Sequence, residues 1–482
     1  MELTKHAMHQ RTILWLLFTG ILCSSGTAQT FEFLGGKTLS DITNLSQDYG
    51  IPSSLYDAVS GVDAYRVTYT MPFLGEEITV SGVAFEPTDL DPTCPHPVYV
   101  YMHGTIFARS DAPSFLGGEG QIGYLMAGLG FSVIMPDYVG LGLDDQHLHP
   151  YVHAESEALS GAHLIHTLYT VDNPSGNAHD PNQLFISGYS QGGHAAMALH
   201  RELQQNWPEY PVHASAPGSG PYNITGVQYP EIFAGETYSR PSYLAYTALA
   251  WQSVYGNLYD SITEYFQEPY ASQLDGLFDG ETSSSQVNNA LPYYLEDFVQ
   301  MGALDDLLDE GSPFLAAAMD NDIYDWIPEA PVRMYYCTED EQVFYQNALF
   351  AEEHMLGLGA ENVEAVNLGA YDHGDCAGQA IFGATLWFQS QATICEGISA
   401  IGDPEIGKEG LFSVYPSPTQ GRAQVTLQHL APSSRWELYS TTGPFVRSGI
   451  GSVIGLDGIK AGVYMIYVPD LGLTTRLVVS NR

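Results

Sequence analysis

Hydrophobic and polar residues alternate between residues 64 and 85, and the turn-forming stretch PFLGE interrupts the alternation once. Two alternating runs joined by a short turn predict a β-hairpin. The pattern then changes to short apolar-rich runs at Val98–Met102, Phe131–Met135 and Gln183–Ser187, which are separated by segments with helical spacing. Strands that are apolar on both faces and alternate with helices predict a parallel sheet covered by helices.

The alternation of strands and helices stops between residues 222 and 329. This segment is rich in tyrosine and acidic residues, and Arg240 is its single basic residue. The sheet pattern resumes at Val332–Cys337 and continues with a helix near Gln342–Leu356, another strand, and a last helix near Ala377–Thr393. A structureless loop of such length is unusual in a compact domain. We therefore predict that the insertion forms a cap over one end of the sheet.

The first 28 residues are typical of a signal peptide. Lys5 and Arg11 make a basic start, Ile13–Cys23 is a short apolar run, and small residues precede a cleavage position near Ala28. The apolar run is shorter than the ~20 residues that a membrane-spanning helix needs. We therefore predict cleavage and export, and no later stretch of the sequence is long and apolar enough to span a membrane.

The last part of the chain has a sequence pattern that differs from both the sheet-forming part and the insertion. Residues 397–409 are a polar, glycine-containing linker, and residues 410–482 consist of short alternating strands with turn residues between them. Regularly spaced short strands predict a small all-β sandwich. The sequence thus predicts a main α/β domain over residues 29–396, followed by a separate β module.

The composition excludes some functional classes. The 482 residues include 56 acidic and 15 basic ones, and the formal net charge is −41. Binding to nucleic acid or to anionic membranes requires Lys and Arg, so both are disfavoured. The negative charge is consistent with an exported protein that stays soluble through self-repulsion.

Ser190 is the first candidate for chemistry. It is the centre of the pentapeptide GYSQG, Gly188–Gly192, which lies between a predicted strand and a predicted helix. The pattern G-x-S-x-G at such a turn is typical of a nucleophilic serine, because only glycines leave room around the sharp turn. An ordinary turn serine is the alternative, and the strand–turn–helix context favours the nucleophile.

A nucleophilic serine requires a base, and the base requires an orienting carboxylate. Asp340 follows a strand end and is our candidate acid, with Glu339 as the alternative and Glu341 expected to begin the next helix. His373 is the candidate base, placed on a loop after the following strand. The order serine, acid, histidine along the chain is the one found with this kind of turn.

Stabilising a tetrahedral intermediate requires two N–H groups that point at its oxygen. We expect one from Gln191, the residue after the serine. The other should come from the loop after Val98–Met102, where Thr105 is our candidate and Ile106 the alternative.

Several motifs together resemble a known superfamily. They are, in chain order, HGT, PDYVGLG, HPY, GYSQGG, CTEDEQV and YDHGDC. This series resembles the α/β-hydrolase superfamily, most closely its secretory lipase and esterase branch with a cap before the acid-bearing strand. The resemblance covers about residues 31–396. It implies a mostly parallel sheet with helices on both faces, and hydrolysis of small-molecule or lipid esters through an acyl-enzyme at Ser190, Asp340 and His373, without cofactor or metal.

The chain from Lys408 onward resembles a different family, the type IX secretion sorting domain of Bacteroidota. The motifs YPSPTQG, LDGIKAGVYMIYV and TTRLVV carry this resemblance. It implies that the type IX machinery is a partner and that the module is removed. The protein would then be secreted or held at the cell surface.

The predicted fold places the four cysteines that follow the signal peptide. Cys337 and Cys376 belong near the catalytic rim of the sheet, while Cys94 and Cys395 belong near the opposite rim. Bonded cysteines need α-carbons within ~7 Å. We therefore predict the disulfides Cys337–Cys376 and Cys94–Cys395, with free buried thiols as the alternative.

One run rich in nitrogen and oxygen donors could suggest a metal site. It contains Asp144, Asp145, His147, His149 and His153. The spacing matches no strong zinc pattern, so we expect no metal there.

Three functions therefore remain open from the sequence. The first is a secreted serine ester hydrolase, the second a serine peptidase on the same fold, and the third a binding protein with a decayed site. The complete order of candidate residues and the intact glycine turn favour an enzyme.

Overall fold

A computed structural model describes residues 29–49, 51, 56–300, 302–306 and 309–397 of the protein. In the C-terminal part it describes 413–415, 419–420, 424–428, 434–440, 445–460, 462–468 and 473–480. The predicted signal peptide and nearly all of the predicted linker lie outside the described residues.

A nine-stranded sheet forms the centre of the main domain. Its strands are β1 (Thr30–Lys37), β2 (Val62–Phe73), β3 (Glu76–Pro87), β4 (His96–Met102), β5 (Ser132–Pro136), β6 (His179–Tyr189), β7 (Val212–Gly218), β8 (Val332–Tyr336) and β9 (Val363–Asn367). Their order in space is β1-β2-β3-β5-β4-β6-β7-β8-β9. The pairs from β5 to β9 are parallel and those from β1 to β5 antiparallel, which confirms the predicted mostly parallel sheet.

Helices cover both faces of this sheet. The helices outside the cap are α1 (Leu39–Asp48), α2 (Gly120–Gly128), α3 (Ala154–Thr170) and α4 (Gln191–Asn206), and the last two of the domain are described below. Along β4, Tyr99 and Tyr101 pack with α1 and α2, whereas Val98 and Val100 pack with α3 and α4. This alternation follows from the two-residue period of a strand, and it requires a strand that is apolar on both faces.

The segment between β7 and β8 is helical and has its own core. Its helices are α5 (Tyr229–Ala234), α6 (Pro241–Tyr255), α7 (Leu274–Leu277), α8 (Ser284–Asn289), α9 (Ala303–Asp306) and α10 (Pro313–Asp320). Their apolar side chains form a cluster around Trp251, which is fully buried. This inserted segment, which we call the cap, is therefore a packed helical layer.

The domain ends with helices α11 (Gln346–Leu358) and α12 (His373–Gln389), which flank β9. Both differ from the prediction at their start. α11 begins four residues later than expected, because Asp340 accepts hydrogen bonds from the N–H groups of Gln342 and Val343 and so organises a loop. The first strand and α1, upstream of the predicted hairpin, were not predicted.

The C-terminal strands form two small sheets. They are β10 (Ser413–Tyr415), β11 (Thr419–Gln420), β12 (Gln424–Gln428), β13 (Arg435–Ser440), β14 (Phe445–Ile450), β15 (Val453–Gly455), β16 (Gly462–Val468) and β17 (Leu473–Ser480). Three strands make one sheet and five the other, mostly with antiparallel pairing. Among the helices of the described residues, none combines the length and apolarity that crossing a bilayer would demand.

Both predicted disulfides are present. Cys94 is bonded to Cys395, with α-carbons 5.9 Å apart, and Cys337 is bonded to Cys376, with α-carbons 6.0 Å apart. The second bond joins the end of β8 to the first turn of α12, so it ties together the two segments that carry Asp340 and His373.

Candidate active site

Ser190 lies at the turn from β6 into α4 and has the strained backbone that such a turn requires. Its φ is 62° and its ψ −122°, a left-handed conformation that costs a non-glycine residue about 1–3 kcal/mol. A Cβ on Gly188 would overlap the backbone of Gly192, and one on Gly192 would overlap the carbonyl oxygen of Met102. The two glycines therefore let the turn pack against the end of β4, with Ser190 93% buried at its tip (7% exposed).

Asp340 and His373 are hydrogen-bonded to each other. Nδ1 of His373 lies 2.9 Å from Oδ1 and 2.8 Å from Oδ2 of Asp340, and both side chains are buried. Because Oδ1 also accepts the N–H groups of Gln342 and Val343, the carboxylate is fixed in place. The bond to Asp340 assigns a proton to Nδ1 of His373 and leaves Nε2 as the basic nitrogen.

Two details of this pair differ from the prediction. His373 is the first residue of α12 and does not lie on a loop; Asp372 caps the helix by accepting the N–H of Asp375 at 2.8 Å. Glu341 does not begin a helix, and its carboxylate accepts the N–H of His373 at 3.1 Å. Burial acts to raise the pKa of Glu341, but hydrogen bonds from Gln342 and His373 outweigh burial and lower it. Glu341 thus holds the backbone of the histidine.

Tyr189 brings the serine turn and the histidine together. Its hydroxyl donates to the backbone oxygen of His373 at 2.7 Å, and the two rings lie with centroids 4.9 Å apart. Since Tyr189 immediately precedes Ser190, this contact sets the histidine beside the serine turn. The three candidate residues follow the carboxyl ends of β6, β8 and β9, and because these strands are joined by parallel pairs, their carboxyl ends lie at the same end of the sheet.

The N–H groups of the two expected oxyanion donors are not engaged by an acceptor among the described residues. Gln191 is the first residue of α4, where an N–H has no partner within the helix. No acceptor among the described residues bonds to the N–H of Thr105, whose hydroxyl contacts Tyr151 at 3.1 Å. The alternative, Ile106, has no such polar side-chain anchor.

The side chain of Gln191 joins a buried polar network that was not predicted. Its Nε2 lies 2.7 Å from Nε2 of His149 and 2.8 Å from Oε1 of Glu157. The other oxygen of Glu157 contacts Nδ1 of His194 at 2.8 Å, while Nε2 of His194 faces the backbone oxygen of Asn321 at 2.9 Å. The network fixes the first turn of α4 to α3.

Comparison with known proteins now identifies the family. The sequence matches the secretory lipase family over residues 123–389, more than half of the chain. The chain belongs to the secretory lipase family. This membership makes it a hydrolase of the lipase and esterase type. No curated protein matches the chain significantly by sequence.

Solved structures show the same architecture as this secretory lipase family member. The rice cell wall degrading esterase LipA from Xanthomonas oryzae is 26% identical, with a TM-score of 0.65 over 75% of this chain and 95% of LipA. A Legionella pneumophila protein described as a hydrolase is 23% identical, with a TM-score of 0.67 over 75% of this chain and 98% of that one. Candida antarctica lipase A, 16% identical with a TM-score of 0.53 over 78% of this chain and 87% of the lipase, shares the fold.

A mostly apolar cavity opens beside Ser190 in this secretory lipase family member. It has a volume of about 50 Å³, and Ser190 and Gln191 are among its lining residues. Tyr229 and Leu244 of the cap line it and also line a second apolar cavity of about 30 Å³ inside the cap. The two cavities are therefore neighbours, separated by these side chains.

The residues of the run that could have suggested a metal site make hydrogen bonds within the protein. His147 bonds Asp144 at 2.9 Å, and His153 accepts the N–H of Ser156 at the start of α3. His149 donates from Nδ1 to the backbone oxygen of Val139 at 2.8 Å. Burial lowers the pKa of His149 to about 3, so this ring is neutral and can accept from Gln191. No group of three or more potential ligands gathers around a common point in the part of the chain that the structure describes.

Proposed function

We propose that the protein is a secreted serine carboxylic-ester hydrolase with Ser190 as nucleophile. Nε2 of His373 takes the Ser190 proton while Oγ attacks the ester carbonyl carbon. Asp340 orients the imidazole through Nδ1 and stabilises the cation that forms. The histidine then returns the proton to the leaving alcohol. Water hydrolyses the acyl-enzyme by the same route in reverse, which releases the carboxylic acid and restores Ser190.

The observation that carries this proposal is the buried His373–Asp340 pair, held by Tyr189 beside the strained Ser190 turn. Strain of this kind persists only where the surrounding structure maintains it, and it concentrates at functional sites. The N–H groups of Gln191 and Thr105 are the proposed oxyanion donors. Each such donor is worth ~3 kcal/mol of barrier.

The cavity beside Ser190 supports an ester with an apolar acyl group. Its walls are mainly apolar and aromatic side chains, including Ile224, Tyr229, Leu244 and Trp251. Within the described residues that line it there is no Asp or Glu. A peptidase acting at a free amino terminus would need such a carboxylate to pair with the ammonium group, so ester hydrolysis is favoured over the peptidase alternative. LipA, named as an esterase, supports the same reaction class.

The family and the two disulfides suggest an extracellular protein, because disulfides persist in oxidising compartments. We further propose that residues 1–28 direct export. Residues 410–482 then act as a type IX sorting domain that engages the secretion machinery. Both assignments rest on sequence motifs.

A panel of p-nitrophenyl esters from butyrate to palmitate tests the reaction class. We expect turnover by the wild type, loss of turnover in Ser190→Ala, and covalent labelling of the wild type alone by a fluorophosphonate. Peptidyl substrates with a free amino terminus provide the comparison. Ester turnover by Ser190→Ala, or labelling of another serine, would contradict the proposal.

A further inference from the structure

Glu119 occupies the N-cap position of α2, yet its side chain does not cap that helix. N-cap residues are usually Ser, Thr, Asp or Asn, whose short side chains accept an N–H of the helix that they begin. The Glu119 carboxylate instead accepts the hydroxyl of Tyr101 at 2.7 Å. It also accepts the N–H of Gly104, which lies 3.2 and 3.3 Å from its two oxygens. Both donors belong to β4 and the loop after it, so the side chain of Glu119 binds that loop and not its own helix.

Gly104 passes through a narrow gap between this carboxylate and the serine turn. A Cβ on Gly104 would lie in close contact with an oxygen of Glu119 and with the backbone oxygen of Tyr189. A side chain would therefore push the loop away from one of the two. The glycine thus lets Glu119 hold the loop directly beside the residue that precedes Ser190.

The hydrogen bonds of Gly104 fix the direction of the next N–H. Its carbonyl oxygen accepts Nδ1 of His103 at 2.7 Å, while its own N–H is bound to Glu119. Burial lowers the pKa of His103 to about 4, so the ring is neutral. Nε2 lies 3.3 Å from the backbone oxygen of Asp137, and the shorter contact to Gly104 assigns the proton to Nδ1. In a planar trans peptide the N–H points opposite to the C=O. The Thr105 N–H therefore points away from His103, and hydrogen bonding at the oxygen of the same peptide makes it a stronger donor.

We propose that Glu119 is a positioning residue of the active site, which holds Gly104 so that the Thr105 N–H faces the developing oxyanion. This inference rests on the proposed function, because it presupposes the roles of Ser190 and His373.

Two substitutions separate the hydrogen bond from the charge. Glu119→Gln can keep both hydrogen bonds through its amide oxygen but carries no charge. We expect it to retain most of kcat, because the bond to Gly104 remains. Glu119→Ala removes the bond to Gly104. We expect kcat to fall on the order of 10- to 100-fold with little change in KM, less than for complete loss of an oxyanion donor.

The control is Glu353→Gln, which removes one charge from an exposed position on α11 and should match the wild type in both readouts. Thermal melting verifies that each variant is folded. If Glu119→Ala does not fold, Gly104→Ala decides, because its Cβ would meet the Glu119 carboxylate and displace the same loop, so kcat should fall with little change in KM. A folded Glu119→Ala or Gly104→Ala with wild-type kcat would overturn the inference, as would a Glu119→Gln that loses as much kcat as Glu119→Ala. Failure of the proposed function would show instead as ester turnover that survives Ser190→Ala.

Discussion

Nδ1 of His373 lies within 2.9 Å of both carboxylate oxygens of Asp340, and Oδ1 of that carboxylate is fixed by two further N–H groups. We expect Asp340→Asn to lower kcat for esters about 10³- to 10⁴-fold, because the amide allows the wrong tautomer of the imidazole. Steady-state kinetics on a p-nitrophenyl ester measures the effect.

The matched control is Glu339→Gln. Glu339 is the neighbouring acid considered from the sequence, but its side chain is exposed. We expect this variant to keep kcat within about twofold of the wild type, the scale of a surface substitution. Equal losses in the two variants would remove Asp340 from its proposed role.

The two disulfides should differ in their effects. The Cys94–Cys395 bond closes a sequence separation of 301 residues and the Cys337–Cys376 bond one of 39. Loop entropy predicts that replacing the first pair by alanine costs about 2 kcal/mol more in free energy of unfolding than replacing the second. Only loss of Cys337–Cys376 should lower kcat in the folded protein, because that bond joins the segments carrying Asp340 and His373.

Urea denaturation and ester kinetics on the two double variants test this prediction. Equal losses of kcat would show that the Cys337–Cys376 bond has no special influence on the site.

Leu244 lies between the cavity beside Ser190 and the second cavity in the cap. We expect Leu244→Trp to lower kcat/KM for p-nitrophenyl palmitate relative to butyrate by about 10-fold or more, since the indole blocks the passage of a long chain. The measurement is the ratio of kcat/KM for the palmitate ester to kcat/KM for the butyrate ester, determined on one enzyme preparation.

Leu349→Trp is the control for Leu244→Trp, since Leu349 is 39% exposed on α11, away from the cavity. Its palmitate-to-butyrate ratio should equal that of the wild type. An unchanged ratio in Leu244→Trp would mean that the acyl chain lies elsewhere.

Glu86 predicts a pH-dependent contribution to stability. It is 1% exposed on β3; burial acts to raise its pKa, but His179 and hydrogen bonds from Asn177 and Ser132 lower it below the ordinary 4.5. A carboxyl with a lowered pKa stabilises the fold above its unfolded pKa, and this contribution is lost as the pH falls through the folded pKa. Glu86→Gln should therefore destabilise the protein near pH 7 by about 1–3 kcal/mol and by less near pH 3.

Urea denaturation at the two pH values provides the test for Glu86. Glu76→Gln, an exposed position on the same strand, serves as the reference. A destabilisation by Glu86→Gln that is the same at both pH values would contradict the linkage.

Local patterns allowed most of the sheet to be predicted, because each parallel strand is a short apolar run between helices. The Ser190 turn was equally predictable, because close backbone contacts require its two glycines and the pattern lies within five residues. Helix starts were less predictable: Asp340 delays α11, and Asp372 caps α12 early enough to place His373 on it.

The supporting residues of the site were not predictable from local pattern. Glu157 contacts Gln191 across 34 positions, and Tyr189 contacts His373 across 184. Glu119 stands before α2 in an unremarkable glycine-rich stretch, and only its long-range contacts show that it does not serve its own helix. Such roles depend on which chain segments the fold brings together, and the spacing of residues in one segment carries no signal for them.

The C-terminal end of the main domain is fastened to the loop before β4. Cys395 is bonded to Cys94, the backbone oxygen of Glu396 accepts the N–H of Asp91, and Gly397 pairs with Leu90. A protease that cut the chain beyond residue 397 would therefore leave no loose tail able to unravel α12 and, with it, His373. The stability of the main domain is thereby independent of the fate of the residues beyond 397.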